Sequence, residues 1–400
     1  MRGKRRCQSA HAFVGRALAV TMPDRAPRAG FHEPLLLLVA LAALGCADLL
    51  GAEDWRGAGG GSNASATGTA GGAAGAKTTG SVSSGGSGGN RGNGGRGGEG
   101  CASAASGIEP LACDQGKPSA MAVVGGLVYW VNESTGTIQR VPAVGGATEL
   151  LAEGEGHPCG IAVDGVHVFW RTHEGAVRQL TLGEQDPVSR ATGQGDSCAI
   201  ASDVNAVYWG EPGPSSDTIW RAPLSAGAGE EFVTLTRVRT ITATDPIQLF
   251  WTAPTAGAIY SADKATGAVT QVATATDGCG IGVDATQVFW TQNTQGQGSV
   301  RSALLQGGMQ QTVAGSLNAP CPLALDASNV YFADVASPGT VNRVSKSGGA
   351  VTPLADGQLS PCSVAIESTS AFWTTCEGGT VMRALLASSI VVGGDPASSR

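Results

Sequence analysis

Cysteine is the residue type whose spacing most strongly suggests chemistry in this chain of 400 residues. Ten cysteines are present, and eight lie beyond residue 100: Cys101, Cys113, Cys159, Cys198, Cys279, Cys321, Cys362 and Cys376. Five of the eight share one position, eleven residues before the second member of a recurring aromatic pair; they are Cys159, Cys198, Cys279, Cys321 and Cys362. Thiols at a repeated position could pack as small side chains, form disulfides or bind metal.

Packing of a small side chain is the first explanation of this pattern, ahead of disulfides. Ser119 and Thr240 take the same position in the two repeats that lack the cysteine, so a small, weakly polar residue fits there. A ring of thiolate metal ligands is the least favoured role, because the paired Cys-x-x-Cys spacing of zinc sites is missing. The sequence therefore assigns no metal-binding residue and predicts no cofactor.

Disulfides are the remaining role, since an exported chain meets an oxidising compartment and eight cysteines are an even number. Bridges between neighbouring repeats require Cα atoms within ~7 Å. A cross-strand bridge in the last repeat requires a register that places both side chains on one face. Cys159 could bridge to Cys198, and Cys279 to Cys321, if that distance is met. The predicted pair is Cys362 with Cys376, which leaves Cys101 to pair with Cys113.

Histidines and aspartates give weaker signals. His157, His167 and His173 all fall in one repeat, so they cannot form a ring of ligands drawn from several repeats. His157 precedes an inner strand and is the best candidate for binding at a channel mouth. The recurring aspartates before turns indicate structural turn residues; they are Asp164, Asp284 and Asp326. No Gly-x-Ser-x-Gly or His-Glu-x-x-His motif appears in the repeat region, residues 108–395, and no catalytic residue is predicted.

A pair of adjacent aromatic residues recurs seven times and predicts the elements that position these side chains. The pairs are Tyr129-Trp130, Phe169-Trp170, Tyr208-Trp209, Phe250-Trp251, Phe289-Trp290, Tyr331-Phe332 and Phe372-Trp373. Their steps of 40, 39, 42, 39, 42 and 41 residues are typical of one four-stranded sheet per repeat. Neighbouring residues of a strand point to opposite faces, so each pair should pack on both adjacent sheets. The fold prediction is an all-β, seven-bladed β-propeller.

The second repeat shows the expected strands. They are 159–164, 166–172, 176–182 and 187–191, with turn residues between them. On the third strand of each repeat, the residue after the β-branched core position varies freely, which indicates a surface that faces solvent or ligand. The seven residues at this variable position are Gln139, Arg178, Trp220, Tyr260, Arg301, Asn342 and Met382.

Residues 35–44 form an apolar run of ten, which is too short to span a bilayer but suits a secretory signal. The run ends at Ala43-Leu44-Gly45-Cys46, which resembles a bacterial lipobox. This resemblance implies that residues 1–45 are a signal peptide, with Met22 as an alternative start. Cys46 would then be the lipidated first residue of the mature protein; ordinary signal cleavage is the alternative.

A linker precedes the predicted propeller. Residues 46–107 begin with Cys46 and consist largely of Gly, Ser, Ala, Thr and Asn, which predicts a disordered tether before a propeller at 108–395.

The net charge of the chain is −7, and residues 1–45 carry seven Lys/Arg and two Asp/Glu, or +5, which leaves −12 for the rest. An acidic chain without a basic stripe argues against a nucleic-acid partner.

The repeats resemble those of YWTD propellers of the LDL-receptor class and their bacterial relatives, including NHL-type and gluconolactonase-like propellers. Pro158-Cys-Gly-Ile-Ala-Val-Asp164, then Val-Phe-Trp170 and Gly-Ala-Val177, carry the resemblance. Gluconolactonase-like enzymes and seven-bladed streptogramin lyases use metal-binding carboxylates or histidines on several blades. No such set maps onto this chain, so the resemblance transfers no catalytic residue.

These observations predict a monomeric, lipid-anchored propeller of the cell envelope, either periplasmic or at the cell surface. It would act as a binding or scaffolding module whose ligand, a protein or a small molecule, the sequence does not specify. The alternative is a divergent propeller lyase or lactonase with a metal near the channel mouth.

Ring closure can also be predicted. The segment 110–119 aligns with 353–362, which spans an outer strand and the start of the next blade. Residues 108–112 should therefore be an outer strand that pairs with blade seven and hides two sheet edges. The rival is a local fourth strand at 389–392.

Overall fold

The computed structural model describes residues 42–45, 107–225, 227–235, 237–294 and 296–386. All of them belong to one compact unit. The architecture is all-β, with seven sheets that follow the seven aromatic pairs. No helix in this described part combines the length and apolar character needed to cross a bilayer.

Strands β1 (Ala42–Gly45) and β2 (Ile108–Ala112) precede the regular repeats. Blade one contains β3 (Pro118–Val124), β4 (Leu127–Asn132), β5 (Thr137–Pro142) and β6 (Glu149–Ala152). Blade two contains β7 (Pro158–Val163), β8 (His167–Thr172), β9 (Val177–Thr181) and β10 (Val188–Ala191). Blade three contains β11 (Ile200–Ser202), β12 (Ala206–Glu211), β13 (Asp217–Pro223) and β14 (Glu230–Leu235).

Blade four contains β15 (Thr240–Thr242), β16 (Gln248–Ala253), β17 (Ala258–Asp263) and β18 (Val269–Thr274). Blade five contains β19 (Gly278–Val283), β20 (Gln287–Thr294), β21 (Gln297–Leu304) and β22 (Gln311–Leu317). Blade six contains β23 (Pro320–Leu325), β24 (Asn329–Asp334), β25 (Gly339–Ser345) and β26 (Thr352–Gln358). Blade seven contains β27 (Pro361–Glu367), β28 (Ser370–Thr375) and β29 (Thr380–Leu385). The strands of blade two agree with the predicted ones to within a residue at each end.

The aromatic pairs hold the blades together as predicted. The first ring of each pair shares a hydrophobic cluster with the second ring of the next blade. The combinations are Tyr129 with Trp170, Phe169 with Trp209, Tyr208 with Trp251, Phe250 with Trp290, Phe289 with Phe332, Tyr331 with Trp373 and Phe372 with Trp130. All fourteen residues are at most 2% exposed. Truncating one such ring to alanine costs about 3–5 kcal/mol in typical cores, so this layer dominates stability.

The ring closes through its first outer strand. β2 pairs antiparallel with β29, with Ile108 opposite Ala384 and Glu109 opposite Arg383. The Arg383 guanidinium donates to the Glu109 carboxylate and to the Ala143 carbonyl of blade one, 2.7 Å away. This closure is the one predicted from the aligned segments. The rival strand at 389–392 lies outside the described residues.

Strand β1 adds to blade one on its inner side. It pairs antiparallel with β3, with Ala42 opposite Val123 and Gly45 opposite Ala120. The inner edge of β3 would otherwise present free backbone N–H and C=O groups, which an extended segment can satisfy. These four residues belong to the predicted signal peptide. Cys46 and the predicted tether up to residue 106 lie outside the described residues.

Candidate functional site

One face of the propeller carries His157 and His173, two of the three histidines considered in the sequence. On this face each connection from an outer strand reaches the next inner strand, and the turns between second and third strands lie beside it. We call the group of charged residues contributed here by blades one to three the mouth cluster. It consists of Glu133, His157, His173, Glu174 and Asp196.

His157 precedes β7 and is held by Glu174, from the hairpin turn of the same blade. Its backbone N–H donates to Glu174 Oε2 at 3.2 Å, and its ring Nδ1 is hydrogen-bonded to Oε1 at 2.5 Å. Burial alone would raise the pKa of Glu174, but the hydrogen bonds from His157 and nearby groups lower it to about 2. The imidazole is 63% exposed, so His157 is available to a ligand.

His173 links three blades. Its Nδ1 lies 2.6 Å from Asp196 Oδ1 of blade three, and its Nε2 lies 3.9 Å from Glu133 Oε1 of blade one. Lys117 donates to the same Glu133 oxygen at 2.5 Å. These carboxylates stand 23 and 40 residues from His173, so no pattern within one repeat predicts the contacts.

The cysteines beneath the cluster are oxidised. Cys159 bridges to Cys198 and Cys279 to Cys321, each across neighbouring blades, with Cα atoms 5.3 and 5.1 Å apart. Cys362 bridges to Cys376 within blade seven. Cys113 is also disulfide-bonded, and Cys101 lies outside the described residues. These bridges indicate an oxidising compartment.

A glycine follows the first cysteine of each interblade bridge for a steric reason. A Cβ on Gly160 would lie 2.0 Å from the Cys198 carbonyl oxygen, and one on Gly280 would lie 2.1 Å from that of Cys321. The inner strands therefore approach too closely for any other residue. Where a bridge is missing, Thr240 instead donates to the Cys279 carbonyl at 2.6 Å, so the small polar residue has a role of its own.

The oxidised pair limits metal binding at the mouth. One ligand atom each from Cys159, His173 and Cys198 lies within 4.8 Å of the others, a grouping that could hold a metal through two thiolates and an imidazole. With the two sulfurs joined to each other, only His173 offers a free ligand atom. The mouth cluster then provides imidazole–carboxylate pairs at the surface.

The remaining sequence candidates have structural roles. His167 lies after the first turn of blade two, where its Nδ1 contacts Asp164 Oδ2 at 2.8 Å. Asp164 Oδ1 also accepts the backbone N–H groups of Val166 and His167 at 2.7 and 2.6 Å. Asp284 and Asp326 cap their turns in the same way. The prediction that these aspartates are structural turn residues is confirmed.

A cavity of about 700 Å³ lies between the outer part of blade four and blade five. Thr274 and Thr276 border it on one side, and residues of β20, β21 and β22 border it on the other. Hydroxyl and amide side chains form most of its wall, and Arg301 is the one charged residue among the described residues that line it. In the sequence, Arg301 stands out only because it occupies the variable position on the third strand of its repeat.

Arg301 has no protein partner in the described part of the chain. Its Nε is buried and lacks a hydrogen bond, and no described carboxylate forms an ion pair with its guanidinium. By contrast, Arg178, at the same position in blade two, donates to Glu155 from Nε at 3.0 Å and from Nη2 at 3.3 Å. The Arg301 guanidinium thus lines the cavity without a counter-ion among the described residues, and a charged group is costly to bury unless another group binds it.

Two aromatic residues at the variable position stack on rings of their own blades. Trp220 stacks on Trp209 of its own blade with ring centroids 6.4 Å apart, and Tyr260 stacks on Trp251 at 5.8 Å. Each of these side chains covers the second aromatic of its own blade.

Comparison with known proteins supports the fold and no narrower identity. No family model matches the chain, and no curated protein matches it. Among solved structures, virginiamycin B lyase from Staphylococcus aureus is 13% identical, covers 70% of this chain and 98% of its own, and gives a TM-score of 0.59. A streptogramin B lyase structure is 14% identical over 69% of this chain and 96% of its own, with a TM-score of 0.57.

Two further solved structures are about as similar. The structure of U3-55K is 12% identical over 70% of this chain and 99% of its own, with a TM-score of 0.57. The WD40 repeats of RRP9 reach a TM-score of 0.56 at 10% identity. Identities this low show a shared seven-bladed architecture, which hosts both enzymes and binding scaffolds.

Proposed function

We propose that this protein is an exported, membrane-anchored propeller that acts as a ligand-binding module. The cavity beside blade five carries the proposal. Its volume of about 700 Å³ suits a small molecule, and its wall offers convergent hydroxyl and amide groups. No His, Cys, Asp or Glu is among the described residues that line it, so the wall lacks the usual general acids and bases.

The disulfides and the N-terminal pattern together support the proposed compartment. Interblade bridges support a location where thiols are oxidised. The lipobox-like sequence before Cys46 supports a lipid anchor, which places the protein in the cell envelope, on the periplasmic side or at the cell surface. A monomer on a Gly/Ser-rich tether of residues 46–107 would present to ligands the face on which outer strands connect to the next inner strands.

A pocket-filling variant tests the binding function. Gly315 lines the cavity, and a Cβ there would meet only Thr312 Cγ2, at 3.7 Å. Gly315→Leu should therefore fold and occupy the cavity, while Gly315→Ala is the matched control. Sugars, sugar acids, amino acids and short peptides are compared by their effect on the melting temperature. A ligand at about 100 times its Kd should raise that temperature by about 5 °C in the wild type and in Gly315→Ala, but not in Gly315→Leu.

Enzymatic behaviour would contradict this proposal. The purified chain is assayed for bound divalent metal and for turnover of lactones and cyclic ester peptides. One metal ion per chain together with turnover that is lost on substituting His173 would favour the lyase or lactonase alternative. Ligand-induced stabilisation that persists in Gly315→Leu would show that binding occurs elsewhere.

A further inference from the structure

Blade two contains a complete version of an arrangement that blade five holds only in part. In blade two, Glu155 Oε2 accepts hydrogen bonds from Trp170 Nε1 and Arg178 Nε, both at 3.0 Å. The Glu155 carboxylate is only 8% exposed. It therefore satisfies an indole donor and a guanidinium at once, inside the blade.

The counterpart of Glu155 in blade five is Ala275. Each residue stands fifteen positions before the second aromatic of its pair, Trp170 or Trp290. Each also donates its backbone N–H to a glycine of the preceding blade: Glu155 to the Gly136 carbonyl at 3.1 Å, and Ala275 to the Gly257 carbonyl at 2.8 Å.

The arginines correspond as well, because Arg178 lies directly opposite Trp170 and Arg301 directly opposite Trp290 in the strand pairings. The indole donor of Trp290 has found another acceptor. Trp290 Nε1 donates to Gln292 Oε1 at 3.0 Å, and Gln292 is only 8% exposed. Arg301 has no such substitute, since alanine offers no acceptor.

Ala275 is buried in a hydrophobic cluster with Phe250 and Trp290, while its neighbours Thr274 and Thr276 line the cavity described above together with Arg301. Blade five thus has the arginine of this arrangement beside a cavity, but it has neither the glutamate of blade two nor the glutamine that blades one, three and seven have at the same position.

We propose that the Arg301 cavity binds a ligand that carries a carboxylate, which takes the place that Glu155 fills in blade two. Guanidinium recognises carboxylate through paired, charge-assisted hydrogen bonds. The hydroxyl and amide groups of Thr274, Thr294, Ser299 and Gln310 line the rest of the cavity and suit a polyhydroxylated body. A sugar acid combines both features. This inference rests on the proposed binding function and names its ligand class.

Calorimetric titration of the purified full chain, with its disulfides intact, tests the proposal. The probes are D-galacturonate, its neutral methyl ester, propionate as a mimic of the glutamate side chain, and inorganic phosphate. We expect D-galacturonate to bind with one site per chain, propionate to bind more weakly at the same site, and the ester to bind roughly 10- to 100-fold more weakly than the acid. The affinity for the acid should fall as salt rises.

Three substitutions locate the site. Arg301→Gln should weaken D-galacturonate binding roughly 10- to 100-fold, while Arg301→Lys should retain part of it. Ala275→Glu should abolish binding, because it supplies the internal carboxylate that blade two already has. Arg140→Gln is the matched control: it removes the same charge from an arginine that is already bonded to Glu149, and it should leave the affinity unchanged.

Several results would overturn the inference. The inference is refuted if D-galacturonate and its ester bind with equal affinity or if Arg301→Gln leaves binding unchanged. It is also refuted if phosphate binds more tightly than every carboxylate, or if no carboxylate shows saturable binding. Equal affinity for acid and ester that is lost in Gly315→Leu would refute the carboxylate but retain the binding module. Metal-dependent turnover without any cavity binding would refute both.

Discussion

Removing one interblade disulfide should lower stability by an amount that the chain separation predicts. The double variant Cys159→Ser/Cys198→Ser deletes the bridge between blades two and three without leaving a lone thiol. Serine is compatible with the site, because Ser119 occupies the same position in blade one. The remaining bridges stay in place, so the change is confined to one interface.

The expected size comes from loop closure in the unfolded chain. Cys159 and Cys198 are 39 residues apart, and a closed loop of about 40 residues corresponds to about 4 kcal/mol at 25 °C. The Cys362–Cys376 bridge spans only 14 residues, which corresponds to about 3 kcal/mol. For a propeller of roughly 280 residues, these values lower the melting temperature by about 7 and about 5 °C, respectively.

Differential scanning calorimetry under non-reducing conditions measures both variants, with guanidinium unfolding as an independent readout. Cys362→Ser/Cys376→Ser is the internal comparison, because it removes a bridge inside one blade. If that variant were destabilised as much as the interblade variant, or more, the loop-length reasoning would be refuted. Unchanged melting of both variants would show that the blades do not depend on their bridges.

Three further predictions address the anchor, the closure and one buried acid. Cys46→Ala should abolish lipid labelling and release the protein from membrane fractions; unchanged membrane association would refute the lipoprotein proposal. Deleting residues 101–113 should lower the melting temperature by at least about 5 °C and cause aggregation, because β2 covers the edge of blade seven, whereas deleting residues 51–100 should change it little. Burial raises the pKa of Asp334 from 3.8 to about 6, so the folded state binds this proton more tightly and stability falls as pH rises through that range. The melting temperature of Asp334→Asn minus that of the wild type should therefore be larger at about pH 7 than at about pH 4. A difference that is the same at the two pH values would contradict the raised pKa of Asp334.

The fold could be predicted because its main determinant repeats along the chain. Seven aromatic pairs at a near-constant step imply seven equivalent sheets, and adjacent residues on a strand necessarily face opposite sides. The closing strand was also predictable, since the 110–119 segment resembles a later junction between blades. Its pairing with β29 follows from the need to cover the edge of the last sheet.

The cavity was not predictable in the same way. The sequence showed that the third-strand position varies and includes Arg301, but not which partner each residue would have. That partner stands fifteen residues before an aromatic residue, on a connection whose conformation becomes clear only when blades lie side by side. Comparing Glu155 with Ala275 reveals the missing carboxylate, and this comparison requires the hydrogen bonds of blade two.

The mouth cluster shows a similar limit. His157 was placed near an inner strand from the repeat pattern, but its partner Glu174 lies 17 residues away and meets it only because the hairpin turn of the blade folds back. His173 was grouped with His157 by sequence alone. Its contacts with Asp196 and Glu133 come from two neighbouring blades, and a pattern within one repeat cannot show them.

The closure of the ring by β2 and β29 also makes completion of the fold depend on completion of the chain. β2 is synthesised before the strands of the seven regular repeats, and Glu109 must wait for Arg383, 274 residues later, before it meets its partner. Blades one to six can form as they emerge, but the ring stays open until the last strand arrives. A polypeptide that ends before Thr380 would leave β2 unpaired and the interface between blades seven and one exposed. Cellular quality control can therefore distinguish a truncated chain from a finished one by the apolar surface that it leaves open.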